Sequence, residues 1–536
     1  VTLADVGGWE VEDEVRAAVA RYEAALAADD LAELDALFAP GSTTLRADAG
    51  EVVVSHAAIS DFRRGRGGAP ARTVTALHVI VHTAGLATAV AETLRPDGTR
   101  GLQTQVWEQG AAGWQVRVAH VSSGAAPSAP APSTRTAADA ALERADPATW
   151  RVVGSPLVAP TSTGPLDGVS VAVKDLLDVA GHPVGAGNPV RLAQAEPSAA
   201  HAPVLAQLLA AGAHVRGIAR TDELAYSLSG TNVHHGSPAN PWGAGLVVGG
   251  STNGPASAVA RGTADLGLGT DTAGSIRVPA SYCGLHGLRP THGVLPLDGV
   301  LPLAPAFDTV GWLTRDAGLL HRVASALLPG SAPITSLVLA TDLVALADPA
   351  VATALTAAAG DLAAVSGLSM TREDLLTPEE HERWFTAFRT VQGAQAWAAH
   401  GAWIQANPGV LGPGIAQRFA DGSLVSPDAL AEATAVLAAG RAALRARVGE
   451  GTAVLLPPAS STAPPVSAPA ERKAVYRAAT LRLTCLAGVG GLPSAVAPAA
   501  LVDGLPVGLA ALGAPGADSA LTGLLAGWDR RLAPPA

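Results

Sequence analysis

The sequence predicts a large α/β domain, in which helices cover both faces of a sheet, preceded by a smaller α+β domain. Near Gly41 the spacing of apolar residues changes from a helical period to a two-residue period. A stretch rich in proline, serine and alanine follows at 124–136. From Val169 onward, short β-branched runs alternate with helical segments, which is typical of α/β sheets. The predicted domains are therefore residues 1–124 and 137–536, joined by a linker over 125–136.

The first domain begins with helices and continues as strands. An apolar stripe at spacings of three and four runs through residues 9–38 and predicts two helices, separated at Asp29 and Asp30. Two-residue alternation then predicts strands near 43–47, 51–55, 72–82, 87–95, 102–109 and 114–122. Turn signals at Asp97-Gly98 and at 111–113 predict hairpins that connect the last three strands.

The second domain alternates between the two element types. A short helix is predicted over 137–145, a strand over 151–153, and a buried strand in VSVAVK, which ends at Lys174. A helix near 200–212 and the strand HVRGIAR follow. Residues 370–445 are predicted to be helical, and strands from Ala453 onward close the domain.

Composition excludes several classes of function. A net charge of −11 and few basic clusters argue against nucleic-acid binding. No uninterrupted apolar stretch has the length of a membrane helix, and no secretory signal pattern opens the sequence. The two cysteines, Cys283 and Cys485, form neither a disulfide framework nor a metal motif, and the histidines are scattered. We therefore expect a cytoplasmic enzyme that uses no metal or cofactor and acts on a small molecule.

The most informative stretch covers residues 249–291 and contains two turns rich in small residues, with Ser251 in one and Ser275 in the other. Such turns can direct bare N–H groups at a bound group, either a phosphate or an oxyanion. The phosphate loop would require a lysine, and none stands in this stretch. The Gly-x-Ser-x-Gly elbow of many hydrolases is also missing. On composition alone, an ordinary loop remains open.

Lysine usage distinguishes these alternatives. The chain contains two lysines, and Lys473 stands in a charged run typical of solvated surface. Lys174, by contrast, ends a β-branched strand. Arginine keeps its proton in proteins, whereas a desolvated lysine can lose it, so a lysine in this setting indicates a base. The alternative is a structural ion pair with Asp175 or Asp178.

The tracts VSVAVKDLLDV, GGSTNGPASAVARG and GTDTAGSIRVPASYCGLHGLRPTHG resemble the amidase signature family, most closely its indole-3-acetamide hydrolase type. The resemblance implies a large, mixed, mostly parallel sheet wrapped by helices. It also implies a triad in which Ser275 is the nucleophile, Ser251 the bridging serine after a cis peptide bond, and Lys174 the base. An oxyanion hole would use the N–H groups of Thr272, Ala273, Gly274 and Ser275. Residues 1–124 resemble the nuclear-transport-factor-2-like cone associated with amidases of cyanuric acid breakdown, which implies a homodimer or higher homo-oligomer.

The sequence departs from the family pattern at two positions. Asn253 stands where the family usually has glycine or serine, and Ala273 stands where it usually has glycine. Asn253 tolerates unusual turn geometry. Ala273 keeps its N–H group but would be strained if its backbone required a positive φ. We expect activity to survive both changes, with Asp271 and Arg277 paired behind the nucleophile turn.

The substrate is predicted from residues near the site. Ala225, Tyr226, Trp384, Phe388 and Trp397 are the candidate substrate-binding residues. Because the site stretch offers no cationic pair for a carboxylate, a neutral aryl or arylalkyl primary amide is expected. Two alternatives stay open: a carboxylated urea derivative of the biuret or allophanate type, for which Arg389 would supply the cation, and a non-catalytic binding module.

Overall fold

The structure, a computed structural model, describes residues 8–48, 51–66, 70–96, 100–123 and 146–534. The chain divides into two compact units, Val1–Thr134 and Arg135–Ala536. The predicted linker and the helix predicted over 137–145 lie outside the described residues, as does the Asp97-Gly98 turn. The exact limits of the two domains therefore stay a prediction.

The N-terminal unit has the predicted order of helices and then strands. Its helices are α1 (Gly8–Ala28), α2 (Leu31–Ala36) and α3 (His56–Arg66), and its strands are β1 (Leu45–Asp48), β2 (Glu51–Val54), β3 (Thr73–Thr83), β4 (Leu86–Leu94), β5 (Arg100–Gly110) and β6 (Gly113–Ser123). The six strands form one sheet in the order β2-β1-β6-β5-β4-β3. Tyr22 of α1 packs edge-on against the buried Trp107 of β5, so the predicted stripe forms the core beneath the sheet. Helix α3 was not predicted.

The C-terminal unit is built on an eleven-stranded sheet in the order β14-β13-β15-β17-β16-β11-β12-β10-β8-β9-β7. The strands are β7 (Trp150–Val158), β8 (Ser170–Lys174), β9 (His214–Ala219), β10 (Leu266–Asp271), β11 (His286–Arg289), β12 (Thr309–Thr314), β13 (Ser336–Ala340), β14 (Ser369–Glu373), β15 (Thr452–Leu456), β16 (Ser494–Val502) and β17 (Leu505–Leu512). The helices are α4 (Pro189–Gln194), α5 (Pro203–Ala210), α6 (Asn253–Ala260), α7 (Arg277–Cys283), α8 (Ala317–Leu327), α9 (Thr341–Val344), α10 (Pro349–Ser366), α11 (Pro378–Ala406), α12 (Pro413–Ser423), α13 (Pro427–Val448), α14 (Ala470–Gly490) and α15 (Asp518–Ala526).

The mixed sheet covered by helices confirms the predicted fold class, but its parallel content is lower than expected. The pairs β14/β13, β13/β15, β10/β8 and β8/β9 are parallel, and the other six pairs are antiparallel. The antiparallel pairs lie mainly at the centre of the sheet. There β16 and β17 form a hairpin, and β11 and β12 run antiparallel to each other and to their other neighbours. Residues 370–373, which were predicted to be helical, belong to strand β14 at the edge of the sheet.

The parallel pair β8 and β10 positions the candidate site. All six residues of β10 are buried, as are the last four of β8, which explains their β-branched and small apolar sequences. The pairing places Val173 opposite Leu268, so both strands end at the same edge of the sheet. Ligand sites of open α/β sheets form at the carboxyl ends of parallel strands, and Lys174 and Thr270 lie at this end.

One helix of the described part of the chain, α10, is long and apolar enough by length and composition to cross a membrane. Its buried residues include Val351, Leu355 and Leu362, and much of the remainder is alanine. Core helices of globular proteins meet the same criterion, so this is weak evidence for a membrane span.

Candidate active site

Lys174 is buried completely and contacts three hydroxyl groups at the end of β8. Its Nζ atom lies 2.8 Å from Ser251 Oγ, 2.8 Å from Thr270 Oγ1 and 3.1 Å from Thr252 Oγ1. Thr270 comes from β10, and the other two hydroxyls come from the turn before α6. Asp175 instead pairs with Arg151 at 3.1 Å. In the structure, therefore, the lysine contacts hydroxyls rather than the ion-pair partner considered above.

The surroundings of Lys174 favour its neutral form. Burial lowers the pKa of its ammonium group to about 7, while the charges of Asp222, Asp271 and Asp308 oppose this shift. A hydroxyl group can either donate or accept a hydrogen bond. The lysine can therefore accept a proton from Ser251 or return one to it while its hydroxyl contacts are kept. This combination suits a proton acceptor near neutral pH.

Asp271 fixes the turn that carries Ser275. Its carboxylate accepts hydrogen bonds from the N–H groups of Gly274 at 2.9 Å and Ile276 at 3.1 Å. Arg277 binds both carboxylate oxygens at 2.8 and 3.0 Å, and Arg289 binds one at 3.1 Å. Burial alone would raise the pKa of Asp271, but the two guanidinium groups and these hydrogen bonds hold it well below its ordinary value. The predicted pair of Asp271 and Arg277 is confirmed.

Ser275 lies on the wall of a narrow chamber. The chamber is lined by Ala225, Tyr226, Ser227, Leu228, Thr272, Ala273, Ser275, Leu303, Gln392, Arg477 and Leu481. The carbonyl of Ser275 accepts a hydrogen bond from Thr252 N–H at 3.3 Å, which joins the two turns that the sequence singled out. Within the described residues the Ser275 hydroxyl makes no hydrogen bond, so it is available to a bound molecule. The peptide bond between Gly250 and Ser251 is cis.

Both departures from the family pattern fit the structure. Ala273 has no positive φ, whereas Gly274 has a φ of +118°, so the glycine stands where the turn requires it. The side chain of Asn253 is buried and donates to Asp222 at 3.1 Å. One part of the predicted oxyanion hole needs correction, because the Gly274 N–H group already donates to Asp271.

Two of the five predicted substrate-binding residues, Ala225 and Tyr226, line the chamber. Ala225 does so from a left-handed backbone with a φ of +55°, a conformation that costs free energy for a non-glycine residue and is frequent at functional sites. Tyr226 packs edge-on against Phe419 of α12, with ring centroids 5.1 Å apart. The short segment that contains both residues therefore forms one wall of the chamber.

The other three predicted substrate-binding residues do not line it. Phe388 is fully buried against Phe307, with centroids 4.4 Å apart. Trp384 packs beside Gly440 in the helical core, and Trp397 packs partly buried against the core. Their concentration in α11 reflects the apolar face on which this helix packs, so the prediction for Trp384, Phe388 and Trp397 is wrong for the described chamber.

A second, wider cleft, which the sequence did not predict, lies next to the chamber. It is lined by Tyr226, Glu382, Phe385, Thr386, Arg389, Thr390, Gln392, Gly393, Arg418, Asp421, Gly422, Val425, Arg477, Ala478, Leu481 and Arg482. Four of these residues, Tyr226, Gln392, Arg477 and Leu481, also line the chamber of Ser275. The four arginines come from three helices, and only Arg389 was considered from the sequence.

Comparison with known proteins agrees with this geometry. A family model described as Amidase matches residues 134–332, and one described as AtzH-like matches residues 4–126. The chain is 34% identical to Amidase 1 of Arabidopsis thaliana over 403 residues, which cover 69% of this chain and 95% of that protein. The chain belongs to the amidase signature family. Its N-terminal domain is AtzH-like, as the resemblance to the nuclear-transport-factor-2-like cone predicted.

Further relatives of this amidase differ in the compounds that they are named for. It is 34% identical to 2-amino-5-chloromuconic acid deaminase of Comamonas testosteroni over 387 residues, which cover 68% of this chain and 82% of that protein. Indoleacetamide hydrolase of Pseudomonas savastanoi is 42% identical over 164 residues, or 30% and 36% of the two chains. A solved structure described as a vestigial complex that reveals the origins of an s-triazine catabolic enzyme shares 26% identity, with a TM-score of 0.62, over 74% of this chain and 95% of that one.

The packing around Lys174 generates a prediction for Gly269 of β10. A β-carbon at this position would lie 2.2 Å from Thr252 Cγ2 and would displace a residue that contacts the lysine. We expect Gly269→Ala to cost about 1–3 kcal/mol of stability through overpacking and to reduce amide hydrolysis. Thermal unfolding and turnover of the full chain measure both effects.

The matched control is Gly360→Ala in α10, where an added β-carbon would meet nothing within 4 Å. Alanine is the better helix former by about 1 kcal/mol, so this variant should be as stable as the parent or more stable. Equal melting temperatures and equal turnover for the two variants would contradict the predicted packing role of Gly269.

Proposed function

We propose that this amidase cleaves its substrate through an acyl-enzyme on Ser275, with Lys174 as the base and Ser251 as the bridge. The observation that carries the proposal is the contact between Ser251 and a fully buried Lys174 whose pKa is lowered to about 7. If Lys174 were charged, its buried ammonium group would contact hydroxyls but no carboxylate, and burying such an unpaired charge is costly. A non-catalytic binding module provides no reason for such a group.

The proposed reaction transfers a proton from the nucleophile to the lysine and then from the lysine to the leaving group. Neutral Lys174 takes a proton from Ser251, which in turn takes one from Ser275 as its Oγ attacks the amide carbonyl. When the C–N bond breaks, the proton returns through Ser251 to the leaving nitrogen, and ammonia or an amine departs. Water then attacks the ester carbonyl by the same relay, which releases the acid and restores the Ser275 hydroxyl. The reaction requires neither a metal nor a cofactor.

The proposed oxyanion hole uses the N–H groups of Thr272, Ala273 and Ser275. These three residues all line the chamber, whereas the Gly274 N–H group is engaged by Asp271. By fixing this donor and that of Ile276, Asp271 sets the shape of the turn before the substrate arrives. Preorganised donors of this kind contribute a few kcal/mol each in other hydrolases.

The predicted neutral aryl amide depended on two premises. One was that the site stretch offers no cationic pair for a carboxylate. Within that stretch Arg277 and Arg289 are bound to Asp271, but Arg477, from outside the stretch, lines the chamber. The other was an aromatic wall, of which the described chamber contains only Tyr226. The names of the relatives include both an acid and an amide, so they do not distinguish the two candidates. The arginine in the chamber favours the second candidate, a substrate that carries a carboxylate.

Substitutions in the relay test the mechanism. We expect Ser275→Ala to reduce kcat by at least about 10⁴-fold and Lys174→Ala to have nearly the same effect. In a relay, removing one member costs almost as much of the rate as removing all of them. Ser251→Ala should cost less, since water can replace part of its relay. Lys473→Ala, at the other lysine of the chain, is the matched control and should leave kcat unchanged.

A fluorophosphonate probe provides an independent measurement of the nucleophile. Peptide mass mapping after labelling should place the adduct on Ser275, and Lys174→Ala should label much more slowly. Labelling at a different serine, or full activity in Ser275→Ala, would contradict the proposed acyl-enzyme.

The pH dependence follows from the direction of the Lys174 shift. Because burial lowers its pKa, the reactive neutral form accumulates as the pH rises through about 7. For an uncharged substrate such as phenylacetamide, kcat/KM should rise about tenfold per unit well below that value and level off above it. An acid optimum with a steady fall above neutrality would rule out Lys174 as the base.

The N-terminal unit is proposed to mediate assembly into a homodimer or a larger homo-oligomer. Its sheet exposes apolar side chains, among them Val52 at 59%, Ile80 at 58% and Leu102 at 49%. Exposed apolar groups on a sheet are typical of a surface that another protein covers. In addition, the known vestigial complex matched above is an assembly by its own description.

Truncation tests this role. We expect light scattering to give more subunits per particle for the full chain than for the fragment 137–536. The fragment should retain amide hydrolysis. Ile80→Asp in the full chain is the matched test of the sheet surface and should lower the mass. A folded fragment with unchanged oligomeric state and no turnover would instead assign the N-terminal unit a part in catalysis.

A further inference from the structure

We infer that the arginine-lined cleft beside Ser275 binds a carboxylate of the substrate, and that Arg477 is its central contact. The inference rests on the proposed function, because it places the anionic group relative to an amide that Ser275 attacks. The substrate class is then an amide or urea derivative in which a carboxylate stands a few bonds from the scissile carbonyl. The carboxylate is bound and leaves unchanged, while water and the amide become an acid and ammonia or an amine.

Arg477 is the basic residue that joins the two spaces. It lines both the chamber of Ser275 and the wider cleft. Its Nε atom is buried and has no hydrogen-bond acceptor among the described residues. Burial lowers the pKa of its guanidinium group to about 9, with Arg418 adding to the shift. A buried donor without a partner is costly, and a planar carboxylate would satisfy it with two parallel hydrogen bonds.

Two further arginines of the cleft lack an acidic partner in the described part of the chain. Arg418 donates to the carbonyl of Tyr226, and burial lowers the pKa of its guanidinium group. Arg389 stands exposed at the cleft, with its guanidinium 5.9 Å from the ring of Phe385. Neither forms an ion pair with a carboxylate within the described residues, so both keep charge that a ligand can meet.

The acidic residues of the cleft are already engaged. Glu382 pairs with Arg482 at 2.8 Å, and Asp421 accepts a hydrogen bond from Gln417 at 2.8 Å. The cleft therefore has four arginines and two carboxylates, which gives it a net positive charge beside a nucleophile in a chain of net charge −11. Such a local field attracts anions and aligns them as they enter.

Gln392 adds a neutral polar contact between the two spaces. Its buried side chain lines the chamber and the cleft. An amide side chain can donate to one carbonyl and accept from one N–H group. It is suited to the part of the substrate between the scissile carbonyl and the carboxylate, as in a urea-type or β-amido acid.

The test compares matched substrates on the full-length protein. Malonamate and acetoacetamide have the same shape but differ in charge, as do succinamate and levulinamide. We expect kcat/KM for at least one anion to exceed that of its neutral isostere by at least about tenfold, the size expected for a charge-assisted contact. Arg477→Gln should reduce this anion-to-neutral ratio at least about tenfold, Arg477→Lys should retain part of it, and the exposed Arg389→Ala should reduce it less.

Arg472→Gln is the matched control, because this exposed arginine lies on the same helix and donates to Tyr476. It should leave the ratio unchanged. If Arg477→Gln does not fold, inhibition of the parent enzyme by malonate and succinate decides the question, since these anions should compete with the substrate. A parent that shows no preference for either anion over its neutral isostere would overturn the inference, and so would the absence of inhibition by both dianions.

Labelling separates this inference from the proposed function. If the fluorophosphonate probe labels Ser275 and neutral amides are hydrolysed without any preference for anions, the carboxylate site is wrong and the acyl-enzyme stands. If Ser275 is not labelled and no amide is hydrolysed, the acyl-enzyme itself is wrong, and the inference falls with it.

Discussion

The whole site depends on a lysine that the fold buries without a paired carboxylate. Strand β8 carries Lys174 into the carboxyl end of a sheet where neighbouring strand residues are apolar or small, and three hydroxyls replace the water that its ammonium group would otherwise bind. Desolvation then favours the neutral form, while three aspartates at greater range limit the shift. The pKa of about 7 is the balance of these two effects. A carboxylate in direct contact would keep Lys174 protonated. Stronger desolvation would lower its pKa further and make it too weak a base.

The nucleophile turn is held by the opposite device, a buried ion pair with good geometry. Asp271 ends β10 and collects two guanidinium groups and two backbone N–H groups, so its charge is fully compensated. This arrangement connects the strand, the turn and the start of α7, and it explains why the glycine with positive φ stands at position 274 rather than 273. The Ser275 carbonyl accepts a hydrogen bond from Thr252 N–H, and the Thr252 hydroxyl contacts Lys174, so this fixed turn is joined to the surroundings of the lysine.

The sequence predicted the parts of the site that lie in contiguous motifs. Lysine is so rare in this chain that Lys174 stood out, and the two small-residue turns identified Ser251 and Ser275. The arginine cleft could not be found in this way, because Arg389, Arg418 and Arg477 come from three helices and share no spacing. Trp384 and Phe388 were misassigned for a related reason: an aromatic face on a helix has the same pattern whether it borders a cavity or the core. Six strands of the first domain were predicted from their alternation, but α3 was not, because its eleven residues contain only two large apolar side chains, Ile59 and Phe62, too few to stand out between two strands.

The charge of the cleft has a consequence for the chemistry as well as for binding. Attack by Ser275 on an amide creates a negative charge on the carbonyl oxygen, and a carboxylate a few bonds away would oppose that charge by Coulomb repulsion, which is stronger in a partly buried site than in water. Arg477 lines the same chamber as Ser275, so a carboxylate paired with it is neutralised before the oxyanion forms. Arg418 and Arg389 are farther along the cleft and absent from the chamber lining, so they can attract an anionic substrate without facing the base. In this arrangement the cation that binds the substrate also lowers the electrostatic cost of the transition state.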